Sequence, residues 1–117
     1  MSDQNHINYI ELPASNFEAT KRFFNEAFGW KFQDWGEEYC SFSEAGLDGG
    51  FYLSDKSATV DKGSALVILY SYDLETTLEI VESAKGEIVV PIFSFPGGRR
   101  FHFKEPSGNE LAVWSDK

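Results

Sequence analysis

Apolar and polar residues follow each other along the chain in runs that predict eight strands and two helices, divided into two similar halves. The first half begins with a strand over 7–12 and continues into a helix that begins near Phe17 and ends near Gly29. The second half repeats this order, with a strand over 65–70 and a helix that begins near Leu74 and ends near Gly86. Three further strands follow each helix: 30–34, 39–44 and 50–54 in the first half, and 87–91, 100–104 and 110–114 in the second.

The two halves also share a weak sequence repeat. Segment 16–29 aligns with segment 73–86 at one constant offset and without gaps. The identical positions are Glu18 and Glu75, Thr20 and Thr77, Ala27 and Ala84, and Gly29 and Gly86. Such a repeat indicates a duplicated unit that does not bury its apolar face alone. The predicted fold class is therefore α+β, with two βαβββ modules paired into one curved eight-stranded sheet that has a concave cleft inside and the helices outside.

Polar residues and glycines mark the ends of both predicted helices. Ser15 and Glu18 have the spacing of a capping box, in which the Ser side chain accepts from an amide of the first turn and the Glu reaches back. Asp73 is suited to cap the second helix, because its charge matches the positive end of the helix dipole. Gly29 and Gly86 are placed where a left-handed residue commonly ends a helix.

Length and composition are those of one globular domain: the chain has 117 residues, of which 42% are apolar and 25% charged. We predict a single domain over 1–117, with module one at about 6–54, a polar linker at 55–63 and module two at about 64–115. Aromatic residues make up 16% of the chain. Their large rings supply apolar area to a small core, and some of them are expected to line a pocket or a subunit interface.

The charge balance argues against two classes of partner. With 19 acidic and 10 basic residues the net charge is −9, which opposes binding to nucleic acid or to an anionic membrane. The polar start over 1–6 predicts no signal peptide, and no apolar run is long enough to span a membrane, so we expect a cytoplasmic protein. The single cysteine, Cys40, cannot form an internal disulfide and is expected to be a small buried residue rather than a nucleophile.

Three stretches of sequence resemble a known family. They are Tyr9-Ile10-Glu11-Leu12-Pro13, then Phe23-Phe24-Asn25-Glu26-Ala27-Phe28-Gly29-Trp30-Lys31-Phe32, and Phe101-His102-Phe103-Lys104-Glu105-Pro106-Ser107-Gly108-Asn109-Glu110. In these stretches the chain resembles the vicinal oxygen chelate superfamily, which includes glyoxalase I, extradiol dioxygenases, and bleomycin- and fosfomycin-resistance proteins, and it looks most like a glyoxalase-related branch. The resemblance implies the paired-module fold and a homodimer, in some members with cavities built across subunits.

The same resemblance implies a divalent metal on the concave face, held by four His or Glu side chains. The corresponding positions here are Tyr9, a residue within 49–52, Val67 or Leu66, and Ala112. None of these carries the imidazole, carboxylate or thiolate group that such a metal prefers. We therefore expect no cofactor at the family's metal site.

A displaced metal site is an alternative. Because alternate residues of a strand share a face, Glu11 and Glu110 would face the cleft together with Tyr9 and Ala112. With His102 from the seventh strand, these two carboxylates have the composition of a facial triad for non-haem iron.

Several side chains are candidates for ligand binding in the cup. The set comprises Tyr9, Glu11, Glu110 and Trp114 on the strands, Phe93 and Phe95 in a predicted flap over 92–98, and the neighbouring Arg99 and Arg100. The two arginines are suited to clamp an anionic ligand, or else neutralise nearby carboxylates. Glu11 and His102 are the candidate proton-transfer groups, and each is alternatively an ordinary solvated or hydrogen-bonded side chain.

Two functions are the main alternatives at this point, and no residue excludes a third, a regulatory or scaffolding domain. The first is a metal-free protein that binds a small, partly aromatic molecule in the cup, as the superfamily's resistance proteins do by sequestration. The second is a glyoxalase-related lyase or isomerase, or a dioxygenase-related enzyme, in which Glu11 or His102 moves a proton beside a carbonyl. Such an enzyme needs a stabiliser for the oxyanion, a role that Tyr9 or an arginine would fill.

Overall fold

The chain passes twice through a βαβββ unit in the computed structural model, which describes residues 2–117. The elements are β1 (Tyr9–Ala14), α1 (Phe17–Phe28), β2 (Lys31–Asp34), β3 (Tyr39–Ser43), β4 (Asp48–Leu53), a 3-10 helix (Val60–Lys62), β5 (Val67–Tyr70), α2 (Leu74–Ser83), β6 (Glu87–Phe95), β7 (Gly98–Lys104) and β8 (Glu110–Ser115). Met1, with which the predicted polar start begins, lies outside the described residues. Within 2–117, no helix has the length and apolar character needed to cross a membrane.

Hydrogen bonding groups the eight strands into two four-stranded sheets of equivalent topology. The first has the order β1-β4-β3-β2 and the second the order β5-β8-β7-β6. In each sheet the strand before the helix pairs in parallel with the last strand of the module, and the other neighbours are antiparallel. The predicted fold class is confirmed. The edge strands are β1 and β2 in the first sheet and β5 and β6 in the second.

Side chains cap the N-termini of both helices, but one of the predicted caps is wrong. Asn16, not Ser15, caps α1, because its side chain accepts at 3.1 Å from the amide three residues later. Glu18 does not reach back to close a capping box and instead pairs with Lys21 at 3.2 Å. The cap of α2 by Asp73 is confirmed, with the equivalent hydrogen bond at 3.2 Å.

The two predicted C-terminal glycines have different roles. Gly29 ends α1 in the left-handed conformation, with φ 75°, as predicted. At the end of α2 the left-handed residue is Lys85, with φ 85°, so the prediction for Gly86 is wrong. Gly86 is needed for close packing instead, because a Cβ there would lie 2.6 Å from Val81 Cγ1 and 2.8 Å from Phe23 Cε1.

β6 and β7 form a hairpin where a flexible loop was expected, so the prediction of a loop over 92–98 is wrong. Phe93 pairs with Arg100 in the ladder, and Phe95 pairs with Gly98 across a tight turn. The strand continues through Pro91 because β6 is an edge strand whose register is irregular at this point. A missing N–H costs little at the edge of a sheet.

One apolar core joins both sheets and both helices. Phe24 of α1 stacks on Trp30 of the first module, with ring centroids 4.4 Å apart. The ring centroid of Phe23, the residue before Phe24, lies 5.6 Å from the ring centroid of Phe103 in β7 of the second module. Burial of such a ring contributes about 1.5–3 kcal/mol. Helix α1 therefore belongs to the core of both modules, and each sheet keeps one face outside the core.

The buried carboxylate of Glu105 connects the β7–β8 turn to the first module. It is 2% exposed and accepts hydrogen bonds from the Thr20 hydroxyl at 2.6 Å, the Ser107 amide at 2.9 Å and the Asn109 side chain at 2.7 Å. The same Asn109 amide group donates to the carbonyl oxygen of Pro13 in β1 at 2.6 Å. Burial raises the pKa of Glu105, while the hydrogen bonds oppose this shift. The turn thus links β1 and α1 to the second sheet.

Replacement of Glu105 by Gln should destabilise the chain by about 1–3 kcal/mol. One carboxylate oxygen becomes an NH2 group, which cannot accept the hydrogen bonds that the surrounding donors make to Glu105. Urea unfolding at neutral pH measures this change. The control is Glu82→Gln, the same substitution at an exposed position of α2, which should change the free energy of unfolding by less than about 0.5 kcal/mol. An E105Q variant as stable as this control would contradict the assigned role.

The raised pKa of Glu105 also predicts the sign of a pH dependence. Above its ordinary pKa of 4.5 the unfolded chain loses this proton, whereas the folded chain keeps it to a higher pH. The stability conferred by Glu105 is therefore greatest below the unfolded pKa and falls as the pH rises through the folded pKa. The stability difference between wild type and Glu105→Gln should shrink across this window in urea titrations. A difference that grows with pH would contradict the raised pKa.

Candidate functional site

Two faces of the molecule lie outside the core, one on each sheet. Neighbouring residues of a strand point to opposite sides, so Phe101 and Phe103 of β7 enter the core while Arg100 and His102 point away from it. We call the outer side chains of β5–β8 the second-sheet face: Ile68, Tyr70, Phe93, Phe95, Arg100, His102, Glu110 and Trp114. We call those of β1–β4, with the residue after β2, the first-sheet face: Tyr9, Glu11, Trp35, Tyr39, Ser41 and Tyr52.

Arg100 lies at the centre of the second-sheet face and rests on two aromatic rings. Its guanidinium carbon is 5.3 Å from the ring centroid of Phe93 and 5.7 Å from that of Phe95. These are cation–π distances, and they fix the orientation of the planar group. Within residues 2–117 the buried Nε atom of Arg100 has no hydrogen-bond partner. The side chain is therefore positioned by apolar contacts and not by an anion.

A shallow cavity of about 290 Å³ opens beside this arginine. Its walls are Ile68, Phe95, Arg100 and Trp114. The rings of Phe95 and Trp114 are 6.3 Å apart and inclined at 49°, so they form a wedge and not a stack. A larger depression of about 520 Å³ lies on the first-sheet face, but it includes more polar residues, among them Ser41 and Asp48.

His102 and Glu110 form a hydrogen-bonded pair on the same face. Nδ1 of His102 lies 2.8 Å from Oε2 of Glu110, and both side chains are less than a tenth exposed. An ionised carboxylate only accepts, so Nδ1 carries the proton that is shared with Glu110. The other ring nitrogen, Nε2, is buried and has no partner within residues 2–117. The other carboxylate oxygen of Glu110, Oε1, accepts a hydrogen bond from the Val60 amide at 3.1 Å.

The first-sheet face carries a chain of three hydrogen-bonded groups. Tyr39 donates to Glu11 at 2.9 Å, and its hydroxyl oxygen lies 2.7 Å from that of Tyr9. Because the proton of Tyr39 is directed to Glu11, Tyr9 must donate to Tyr39. Partial burial and these two hydrogen bonds raise the pKa of Tyr39. Gly50 makes room for the Tyr39 ring, since a Cβ at that position would lie 2.2 Å from the Tyr39 hydroxyl.

The structure separates the predicted site residues into these two groups. Tyr9 and Glu11 lie on the first-sheet face, and the other members, apart from Arg99, lie on the second. Arg99 points to the helical side of β7, where it pairs with Glu75 of α2. Of the two neighbouring arginines, Arg100 alone therefore lies on the second-sheet face.

The positions that correspond to the superfamily's metal ligands do not fit a divalent metal. Tyr9 is paired across the ladder with Asp48, and Ala112 is paired with Ile68. Of the two alternatives for the fifth strand, Val67 packs against the core and so does not face the cleft, whereas Leu66 directly precedes β5, whose outer residues are Ile68 and Tyr70. Phenol and alkyl groups dominate this set, and they are poor donors to zinc, nickel or iron.

The displaced set of Glu11, His102 and Glu110 is not assembled either. His102 and Glu110 bind each other, whereas Glu11 is bonded to Tyr39 on the first-sheet face. Over residues 2–117, no three His, Cys, Asp or Glu side chains lie in an arrangement that could hold a metal ion.

Tyr39, Ile68 and Tyr70 are among the side chains of these faces that have no counterpart among the predicted site residues. Tyr39 shares the face of Ser41 through strand alternation, and Gly50 beside it is the signal that a ring crosses the neighbouring strand. Ile68 and Tyr70 alternate in the short strand β5, where the run of apolar residues hides which of them face outward. Tyr70 donates a hydrogen bond to Asp116 and contacts Trp114, with ring centroids 5.2 Å apart.

Comparison with known proteins identifies the family. Residues 6–113 match the model of the Glyoxalase/Bleomycin resistance protein/Dioxygenase superfamily. The chain belongs to this superfamily. The resemblance seen in the three sequence stretches is therefore confirmed over nearly the whole chain. No curated protein matches this superfamily member in sequence.

Several solved structures share the fold. A glyoxalase-related enzyme from Fulvimarina pelagi superposes with a TM-score of 0.77 at 17% identity, covering 95% of this chain and 88% of that one. A genomically encoded fosfomycin resistance protein from Listeria monocytogenes gives 0.77 at 16% identity, over 95% and 93% of the two chains. Lactoylglutathione lyase from Agrobacterium tumefaciens gives 0.72 at 15% identity, over 97% and 96%. At these identities the likeness shows the fold of this superfamily member and not its activity.

Proposed function

We propose that this superfamily member is a cytoplasmic protein that binds a small, partly aromatic molecule on the second-sheet face, without a metal ion. The observation that carries the proposal is the cavity beside Arg100, with its wedge of Phe95 and Trp114. Binding sites for small molecules combine apolar and aromatic walls with a few polar groups that fix orientation. The cavity has both, because Ile68, Phe95 and Trp114 are apolar or aromatic and Arg100 is the polar group.

The walls of the cavity predict how binding responds to substitution. Phe95→Leu and Trp114→Leu should each weaken binding of naphthamide, a neutral aromatic probe, by about tenfold, because each removes a ring that contacts the ligand. Isothermal titration calorimetry measures the dissociation constants. Trp35→Leu is the matched control, since it removes an exposed tryptophan of the first-sheet face. Equal losses in all three variants, or an absence of binding to the wild type, would rule out this site.

We also propose that two copies form a homodimer, as the resemblance implies. Support comes from the edge strands β1 and β5, which border an apolar groove of about 690 Å³ lined by residues such as Ile7, Leu12 and Leu69. Ile7, which lines this groove, is 79% exposed, and Tyr72, which lies two residues after β5, is 83% exposed. Apolar exposure of this kind marks a protein interface. A dimer that places the first-sheet face of one copy beside the second-sheet face of the other would bring Tyr9 and Glu11 to the cavity.

Sedimentation equilibrium tests the dimer directly. The wild type should sediment at about twice the chain mass of 13.2 kDa. Ile68→Glu should shift it to the monomer, because a charge on β5 cannot be buried unpaired in an interface. Ile80→Glu is the control, because it places the same charge on the helical side of the molecule. The exposed fraction of Ile80 is 40% and that of Ile68 is 44%, and the Ile80 variant should remain a dimer. A monomeric wild type, or dissociation by both variants alike, would refute the proposed interface.

The second candidate function is proton transfer beside a carbonyl group, and the His102–Glu110 pair favours it. Glu110 orients the imidazole through Nδ1, which leaves Nε2 as the nitrogen that accepts a proton. Arg100 on the same face would stabilise the oxyanion of the enolate, a role for which Tyr9 is less suited because its proton is already donated to Tyr39.

Hydrogen–deuterium exchange at the methyl group of acetophenone tests this candidate. Proton NMR should show exchange accelerated by the wild type and lost in His102→Gln, with binding of acetophenone retained in the variant. Glu11→Gln, on the other face, should exchange at the wild-type rate. Exchange that survives in His102→Gln would exclude the imidazole as the base and leave the binding function alone.

A further inference from the structure

Arg100 is a half-buried cation that has no anionic partner among residues 2–117. Arg99 pairs with Glu75, and Lys21 pairs with Asp34 at 2.9 Å and with Glu18 at 3.2 Å. Across residues 2–117, by contrast, no carboxylate forms an ion pair with Arg100. What distinguishes Arg100 is that its Nε atom is buried without a hydrogen-bond partner in the part of the chain that the structure describes.

The surroundings of Arg100 account for its isolation. Phe93 and Phe95 cover the guanidinium from β6, and Trp114 is its ladder partner on β8. Glu110, a carboxylate of the second-sheet face, is already bonded to His102. The Nε–H group of Arg100 is buried and donates no hydrogen bond within residues 2–117. Planar guanidinium groups are suited to bind a carboxylate through two parallel hydrogen bonds.

We infer that the ligand of this face carries a carboxylate attached to an aromatic ring system, and that Arg100 binds this carboxylate. The inference rests on the proposed binding function and adds the chemical class of the ligand. The guanidinium pairs with the carboxylate, while Phe95, Trp114 and Ile68 contact the ring system in the adjoining cavity. A carboxylate matches both the charge and the fork geometry of the arginine, which a neutral amide does not.

A pair of probes with the same ring system tests the inference. Naphthoate carries the carboxylate, and naphthamide replaces it by a neutral amide. Calorimetric titration of the wild type should give a dissociation constant about tenfold or more lower for naphthoate than for naphthamide. Arg100→Met should abolish this preference and retain naphthamide binding. Arg99→Met removes the neighbouring arginine on the opposite side of the strand and should keep the preference.

The possible outcomes separate the inference from the function on which it rests. Equal affinity of the wild type for both probes would overturn the inference that the ligand carries a carboxylate, while leaving the aromatic site intact. Binding of neither probe would overturn the aromatic site itself. A preference for naphthoate that persists in Arg100→Met, or that is lost in Arg99→Met, would show that a group other than Arg100 binds the carboxylate. Either result would overturn the inference. If Arg100→Met does not fold, Arg100→Lys serves in its place, because it keeps the charge without the fork and should reduce the preference.

Discussion

The hydrogen-bonded carboxylate of Glu105 is the interaction on which the arrangement of the two modules depends. It lies in the turn between β7 and β8, and it binds α1 through Thr20 while Asn109 binds β1. The same turn fixes the register in which His102 opposes Ala112 and Arg100 opposes Trp114. A buried carboxylate is tolerated because donors surround it. The residues of the second-sheet face are thus positioned by a polar contact between modules.

Arg100 presents the opposite case on the surface of the same sheet. The fold supplies Glu105 with donors from three residues, yet it supplies the buried Nε–H of Arg100 with no acceptor among residues 2–117. Aromatic contacts hold the cation in place without neutralising it. A buried donor without a partner costs stability, so its retention indicates a role outside folding. We propose that this role is the binding of a ligand at the cavity beside it.

Much of the fold could be predicted from the sequence because duplication, strand alternation and helix caps are local signals. The repeat placed both modules, and Asp73 and Gly29 were recognisable from their own chemistry. Predictions failed where tertiary contacts decide the outcome. Gly86 is required by the approach of Phe23, and the loop at 92–98 becomes a hairpin because β7 pairs with it. Phe23 is far from Gly86 in the sequence, whereas the hairpin depends on ladder pairing with the strand that follows directly.

The candidate site was only partly predictable for the same reason. Strand alternation places Arg99 and Arg100 on opposite sides of β7 once both are known to lie in the strand. The strand begins at Gly98, and no sequence signal marks that beginning. Nor does any local pattern reveal that Tyr9 and Trp114 lie on different sheets' outer faces, or that Glu11 is bonded to Tyr39. The separation of the two faces follows from the shared core, which is a property of the whole fold.

The three tryptophans provide the most direct test of the binding face, because Trp30 lies in the core, Trp35 on the first-sheet face and Trp114 on the second. Their indole N–H signals can be followed by ¹⁵N–¹H NMR while naphthoate is added to the labelled protein. The signal of Trp114 should shift with saturation, together with the Nε–H signal of Arg100, while that of Trp35 stays in place. A shift of Trp35 with Trp114 unchanged would place the ligand on the first-sheet face and contradict this account.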